Sequence, residues 1–512
     1  MDQYNRQKQF SNHLKLLSIA NYQDPYSKWS GAKDRYPSTA AKLHVLDTIA
    51  FCMATGAKGD VVASAFSVNS KGQKVILLAK NTDPKGPALD DGPTLIRLMQ
   101  NSPNHSMLDI LPFIATRGAK HVQDHLQKFF CLMEEHRKQL EKKIQSYEAE
   151  PVVVFDSSGE LVALLNSEFP EIDQEFLLML GGSSRKGPQS TLKVILREIV
   201  KTCGETPLRF DTTMDSQKKF RFLVNAATAL GSSKFFHRIM EKEGASITGG
   251  KKWEKLWRNL NKMRQYVRIS DASSYLQKNG PFIVEWVTEA ELGNAANSEF
   301  KKIPLDNVWI TIKSIGLGSN KQELDPQNAI SHLRDMNRYW DENIMSPSIA
   351  TTTLHAELRL IVYLSQRSLR AQSSHALPSI QNIRDQHPIG CSKRSCLVCT
   401  WTMEEINKLT HITYLTAGSH TGVYATSAVI GPIMGIDPSG NCGQSVFKRI
   451  LDTSQQVGER LYKPFVKDSA SNKGHKHKNS EDFTSGSDPD GEGGPDKSAR
   501  KYDFESHVRQ RQ

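Results

Sequence analysis

What this chain lacks narrows its class first. No uncharged apolar run is long enough to span a bilayer, which excludes a bundle of membrane-spanning helices. The nearest candidate, Ile412 to Ile436, has no Asp, Glu, Lys or Arg, yet it is loaded with Thr, Ser, Gly and His and reads as buried strands. The opening residues, Met1-Asp2-Gln3-Tyr4-Asn5-Arg6, have no apolar core of the kind a secretory signal needs. An intracellular protein, cytoplasmic or nuclear and without a membrane partner, is the expectation. Cysteine is scarce as well, with seven in 512 residues. Four are scattered (Cys52, Cys131, Cys203, Cys442), while Cys391, Cys396 and Cys399 crowd together. An odd, uneven set argues against a disulfide framework and toward a metal or reactive site. No internal repeat is present.

What is there is a chain long enough for two or three domains and a large core. Its formal net charge is +11. The stretch from Lys467 to Gln512 holds nine basic and nine acidic residues, so the folded part carries the whole excess. That excess suits a polyanionic partner such as nucleic acid without requiring one. The 467–512 stretch is Ser, Gly, Asp, Lys and His with almost nothing apolar, and a disordered tail is expected. Its His475 and His477 read as solvated.

Periodicity places the elements. Leu43, Leu46, Ile49, Ala50 and Met53 recur at helical spacing, with Gly56 as a stop. Val61 to Val68 and Lys74 to Asn81, joined by Asn69-Ser70-Lys71-Gly72-Gln73, predict a hairpin. Helical patterns cover Gln123 to Glu148, Leu192 to Lys201 and Gln217 to Glu243. A second hairpin candidate is Val152 to Asn166; further strands are expected at Pro281 to Val287 and Val308 to Ile315. Between Lys251 and Arg268, seven basic residues stand against Glu254 alone, with Trp253, Trp257 and Tyr266 interleaved. Such a stretch can track phosphates and stack bases. The favoured reading is an amphipathic helix with its aromatics in the core.

Beyond Ser346 the sequence carries chemistry. Thr351-Thr352-Thr353 leads into Leu354-His355-Ala356-Glu357-Leu358, where a helix should start and place His355 and Glu357 in its first turn. Of sixteen histidines only His355 has a carboxylate two residues on, and Cys396 to Cys399 is the sole C-x-x-C. One His and two Cys supply three ligands to a tetrahedral Zn2+ and leave the fourth position for water. Zinc acidifies that water, and Glu357 is placed to move protons without serving as a ligand. The competing reading closes a structural Cys3His site through Cys391, as in a non-catalytic interaction module. His387, just before Pro388, is a weaker rival ligand. Pro388 to Ser392 predicts a strand and Ser395 to Leu409 a helix. His411 to Thr416 and Val423 to Val429 are strand-like, and the six-residue connection between them predicts an antiparallel hairpin.

These motifs resemble the cytidine deaminase-like superfamily, most closely its OTT-like branch, found in fungi and among bacterial effectors. The resemblance rests on Leu354 to Leu358, on Pro388-Ile389-Gly390-Cys391-Ser392-Lys393-Arg394-Ser395-Cys396-Leu397-Val398-Cys399, and on the turn at Gly418 to Gly422. It implies an α/β fold, a three-layer α/β/α domain with a mixed five-stranded sheet ending in an antiparallel hairpin. It also implies a zinc-dependent hydrolytic deaminase of a cytosine-type or adenine-type base in a nucleotide or nucleic acid. His355, Cys396 and Cys399 would be the zinc ligands and Glu357 the proton shuttle. Residues 40–82 would open the domain, 83–345 form a mostly helical insertion or separate domain, and 346–436 hold the zinc core. Asn81 would fall where related enzymes hold substrate, unless Val152 to Asn166 is the opening hairpin. His420 is a second candidate for substrate contact. Ser395 stands where many members have Pro before the first zinc Cys; the OTT-like branch commonly carries a Ser-Lys stretch there.

Overall fold

The computed structural model describes residues 2–20, 22, 37–57, 59–102, 106–149, 167–170, 172, 176, 187–204, 209–244, 250–296, 302–316, 331, 334, 345–373, 385–410, 412–418, 422–434 and 436–471. The chain divides into two units, Met1–Lys463 and Pro464–Gln512. The first holds everything below; of the second, only the end of the last helix lies among the described residues. Val152 to Asn166 and residues 472–512 lie outside them.

Helix α1 (Gln3–Ile19) precedes α2 (Pro37–Met53). The apolar stripe of α2 ends as expected, with Gly56 following at φ +79°. Strands β1 (Val62–Val68) and β2 (Lys74–Lys80) form the expected antiparallel hairpin. Asn69 organises its turn, its side-chain oxygen accepting the N–H groups of Lys71 and Gln73 at 3.0 Å.

Next come α3 (Ala88–Asn101), α4 (Met107–Gln145), α5 (Pro188–Gly204), α6 (Met214–Ser232), α7 (Lys234–Gly244) and α8 (Gly250–Asn279). The Gln217 to Glu243 pattern is thus two helices, broken where Ser233 turns extended (ψ 145°) and its hydroxyl takes up the Leu230 carbonyl. Trp253 and Tyr266 of α8 are buried and Trp257 packs partly buried against the same core. The interleaved aromatics are therefore core residues, and the lysines and arginines flank them.

The chain returns to the sheet through β3 (Ile283–Val287), which pairs in parallel with β2. A small antiparallel pair follows, β4 (Ile303–Leu305) with β5 (Ser348–Ala350). Between them lies α9 (Val308–Gly316), where the sequence predicted a strand. Val308 and Ile312, four apart, are buried while Ile310 is 57% exposed, so the period is helical, not alternating. Asn307 starts the helix by accepting the Trp309 N–H.

The remaining elements are α10 (Ala356–Ser373), β6 (Asp385–Cys391), α11 (Leu397–Leu409), β7 (Ile412–Leu415) and α12 (Asn441–Ser471). The last helix runs into the stretch expected as tail. The five-stranded mixed sheet has the order β3-β2-β1-β6-β7, with β1 antiparallel to both neighbours and the outer pairs parallel. Alternation along the strands splits the core in two. Val62, Ile76 and Leu78 face α2 and the α3–α8 helices, whereas Ala63, Ala65, Val75, Leu77 and Ala79 face α1, α10 and α11. That is a three-layer α/β/α arrangement with the helical segment joined to one outer layer.

The hairpin expected from β7 into Val423 to Val429 does not form among the described residues. β7 follows β6 through α11 as a parallel βαβ unit, and Val423 to Val429 contributes only a bridge from Ser427 to Thr353. Its backbone groups are already engaged elsewhere: Thr353 N–H donates to Thr426 O, Ala428 N–H to Thr353 O, and Val429 N–H to the Gln7 side chain.

Candidate metal centre

Two helix N-termini bring the motif residues together. Helix α10 begins at Ala356 rather than at the threonines, so His355 stands just before it and Glu357 lies in its first turn. Asn81, just past the end of β2, reaches across and accepts the Ala356 N–H at 2.9 Å through Oδ1. Helix α11 starts after Cys396, whose sulfur accepts the Cys399 N–H at 3.5 Å.

His355 Nδ1 then lies 3.1 Å from Cys399 Sγ and 3.4 Å from Cys396 Sγ, and the two sulfurs are 3.4 Å apart. Zn–S and Zn–N bonds of ordinary length would space tetrahedral donors by roughly 3.5–3.8 Å. The three donors all lie within 4.8 Å of one another and form the one such group among the described residues. They can hold a metal ion. Cys391 stands outside that group at the end of β6, its N–H bonded to Asp47 and its sulfur 3.9 Å from the Ile389 carbonyl. His387 faces elsewhere, its Nε2 2.9 Å from Phe66 O, and His420 lies outside the described residues.

The electrostatics suit a donor set for a cation. Burial opposes a thiolate at Cys396, but the Cys399 thiol and the charged His355 outweigh it and hold Cys396 well below the usual thiol range. Burial and the adjacent Cys396 push Cys399 well above it. Burial likewise opposes an imidazolium at His355, yet the Cys396 thiolate lifts it to about 9. A cation would replace these shared protons. Glu357 is 4% exposed, and burial raises its pKa. Its Oε2 has no hydrogen-bond partner, a buried polar atom left over beside the three donors.

Supports for this centre were not read from the sequence. Arg359 is 3% exposed and donates from Nε to Leu354 O at 3.1 Å and from Nη2 to Asn81 O at 3.0 Å. Its Nη1 pairs with Asp83, and Glu289 stands 3.9 Å from Nη2. Asn81 is similarly committed, with Nδ2 donating to Gly59 O at 3.2 Å besides the bond to Ala356. It sits beside the centre and positions the helix that carries Glu357. Tyr424 also escaped notice; its ring lies 6.5 Å from that of His355. An exposed aromatic in a Thr/Ser/Gly loop carries no local signal, and Arg359 looks like any helical arginine until its carboxylate partners arrive from far along the chain.

Residues 354–427 match the family model for OTT_1508-like deaminases. No curated protein and no solved structure matches the chain. The matched segment spans His355, Glu357, Cys396 and Cys399 and is a deaminase-family domain of the OTT-like branch.

Proposed function

We propose that this chain is a zinc-dependent hydrolytic deaminase acting on an amino-bearing base, cytosine-type or adenine-type, in a nucleotide or nucleic acid. One observation carries the reading: a buried carboxylate oxygen without a partner stands next to three converging donors of the type zinc prefers. His355, Cys396 and Cys399 hold the ion. Bound there, zinc supplies Lewis-acid activation of water near neutral pH.

Glu357 does the proton work. Its carboxylate takes the first proton of the attacking water and gives it to the ring nitrogen, then takes the second from the hydroxyl now on the ring carbon and gives it to the departing amine. The balance is one amine and one water consumed, one carbonyl and one ammonia formed. Burial favours the protonated carboxyl and so suits the donating half of that cycle. A formal net charge of +11 is consistent with a phosphate-bearing substrate.

The purified protein should contain about one zinc per chain by metal analysis. Glu357→Ala should keep the metal and lose ammonia release across cytidine, adenosine, their phosphates and single-stranded DNA and RNA. Loss of zinc in that variant would contradict the shuttle role. An interaction module with a structural Cys3His site needs Cys391 as a fourth donor. Cys391→Ser should therefore retain zinc while Cys396→Ser loses it; equal loss would favour the module.

A further inference from the structure

The core accounts for the aromatics of the basic stretch on α8 but not for Lys262. Helices α4 and α8 run antiparallel. His125 Nδ1 lies 3.2 Å from Tyr266 Oη, the His136 and Trp253 rings are 5.0 Å apart, and Lys252 pairs with Glu135 at 3.7 Å. These contacts set Lys128 of α4 level with Lys262 of α8. His121, His125 and Lys128 follow at four and three residues, one stripe of α4. On α8, Arg258 stands one turn before Lys262 and pairs with Glu254. Lys128 and Lys262 have no carboxylate partner among the described residues, and Lys262 is half-buried. Burial, then the like charges of Lys128 and Arg258, hold its ammonium below the ordinary lysine range. Such a cation gains more from an anion than a fully solvated lysine does.

The stripe continues beyond the helices toward the metal centre. His121 packs on Gly56, where an added Cβ would lie 2.5 Å from the His121 Cβ. From Gly56 the chain reaches β1, where Val62 and Ser392 exchange two hydrogen bonds of 2.9 Å. Lys393 and Arg394 come next, both exposed and without an ion pair, and Cys396 follows two residues on. The Lys393 charge reaches His121, which burial and that ammonium hold below the ordinary histidine range. The acids acting on the same ring are Asp124, which is exposed, and Asp60, which Lys80 engages at 3.0 Å.

We propose that Lys262, Lys128 and Lys393, with His121 and His125 between them, form a track for the phosphates of a nucleic-acid strand, so that the substrate is a polymer and not a free nucleotide. The inference rests on the deaminase reading for the fate of the base and narrows its substrate. One phosphate would occupy one or two of these groups. A row extending about 10 Å along α4, continued by Lys393 from another element, suits a repeating anion. A membrane surface suits it poorly, because among the described residues neither α4 nor α8 exposes a large apolar side chain.

The test measures binding apart from turnover. In the full chain carrying Glu357→Ala, anisotropy of a fluorescein-labelled single strand of mixed sequence is titrated at several salt concentrations. Replacing Lys128, Lys262 and Lys393 together by Gln should weaken binding roughly 10- to 100-fold at about 0.1 M salt and reduce the salt slope by about 2. The same three changed to Arg should bind within about twofold of the parent. So should a control with Gln at Lys71, Lys193 and Lys278, exposed lysines of the hairpin turn, α5 and the end of α8. Should the triple Gln variant fail to fold, Lys128→Gln and Lys393→Gln alone, both at exposed positions, should each cost roughly fivefold.

Equal weakening in the control, an unchanged salt slope, or displacement of the strand by cytidine or adenosine monophosphate as readily as by unlabelled strand overturns the proposal. So does a triple variant that loses binding to phosphatidylserine vesicles while keeping the strand. Failure of the deaminase reading gives a different result: no ammonia from any substrate with Glu357 intact, while the titration still decides whether the lysines hold a strand.

Discussion

At the scale of single residues, the chemistry was legible because it is local. His355 and Glu357 are two apart, Cys396 and Cys399 three apart, and spacings this short survive in a linear reading. What holds them is not local. Arg359 joins the carbonyls of Leu354 and Asn81 to the carboxylate of Asp83, and Glu289 approaches the same guanidinium. Removing the cation takes a buried shared donor from the Leu354 and Asn81 carbonyls and from the partly exposed Asp83 and Glu289 carboxylates. Arg359→Met is expected to cost roughly 1–3 kcal/mol, read as a drop in the urea midpoint. Arg359→Lys should recover only part, because an ammonium cannot fork to several acceptors. A loss below about 1 kcal/mol, as for an exposed ion pair, would show the network to be incidental.

At the scale of elements, the opening helix, the β1–β2 hairpin and β3 followed from periodicity and turn chemistry. Two departures from expectation have plain physical causes. In α9 the run Val308-Trp309-Ile310-Thr311-Ile312 looks like a strand by composition, but burial selects Val308 and Ile312 and leaves Ile310 out. For the last strands, the six-residue connection predicts a hairpin, but the backbone of Val423 to Val429 is held by Thr353 and Gln7 instead of by β7. One contact the sequence hides altogether is that of β6 with α2. A Cβ at Gly390 would lie 2.2 Å from the Leu46 carbonyl carbon and 2.4 Å from the Asp47 nitrogen. Both are backbone atoms that cannot swing aside. Gly390→Ala should therefore destabilise by about 1–3 kcal/mol, visible as a lower melting temperature. An unchanged midpoint would mean that α2 rides loosely on the sheet.

At the scale of the molecule, burial of histidine sets the pH range of stability. Desolvation holds His13 at about 4, and desolvation with the neighbouring His121 holds His125 at about 3, against an ordinary 6.5. Both rings stay neutral in the fold. As pH drops below 6.5 the unfolded chain takes up these protons first, so unfolding binds protons and stability falls. The melting temperature should be level above about pH 7 and decline from pH 6.5 toward 4. His13→Gln should flatten that decline; a profile unchanged by it would assign the acid sensitivity to other groups. The two core halves, and the return of the chain through β3 to complete the sheet, were not legible, since alternation along a strand says which residues share a face but not what covers it.

The place of β1 has a consequence for how the protein is made. One edge of this strand is occupied at once by β2, but the other waits for Ile389, Gly390 and Cys391 of β6. A ribosome adding about 5–20 residues per second needs roughly 15–60 seconds to travel between those segments. Throughout that interval a newly formed hairpin shows a bare hydrogen-bonding rim to its surroundings, the kind of template on which other chains nucleate. Synthesis is thus the hazardous stage in the life of this molecule, and a holding chaperone that masks the rim until the second half emerges should raise its yield more than any change to the finished fold.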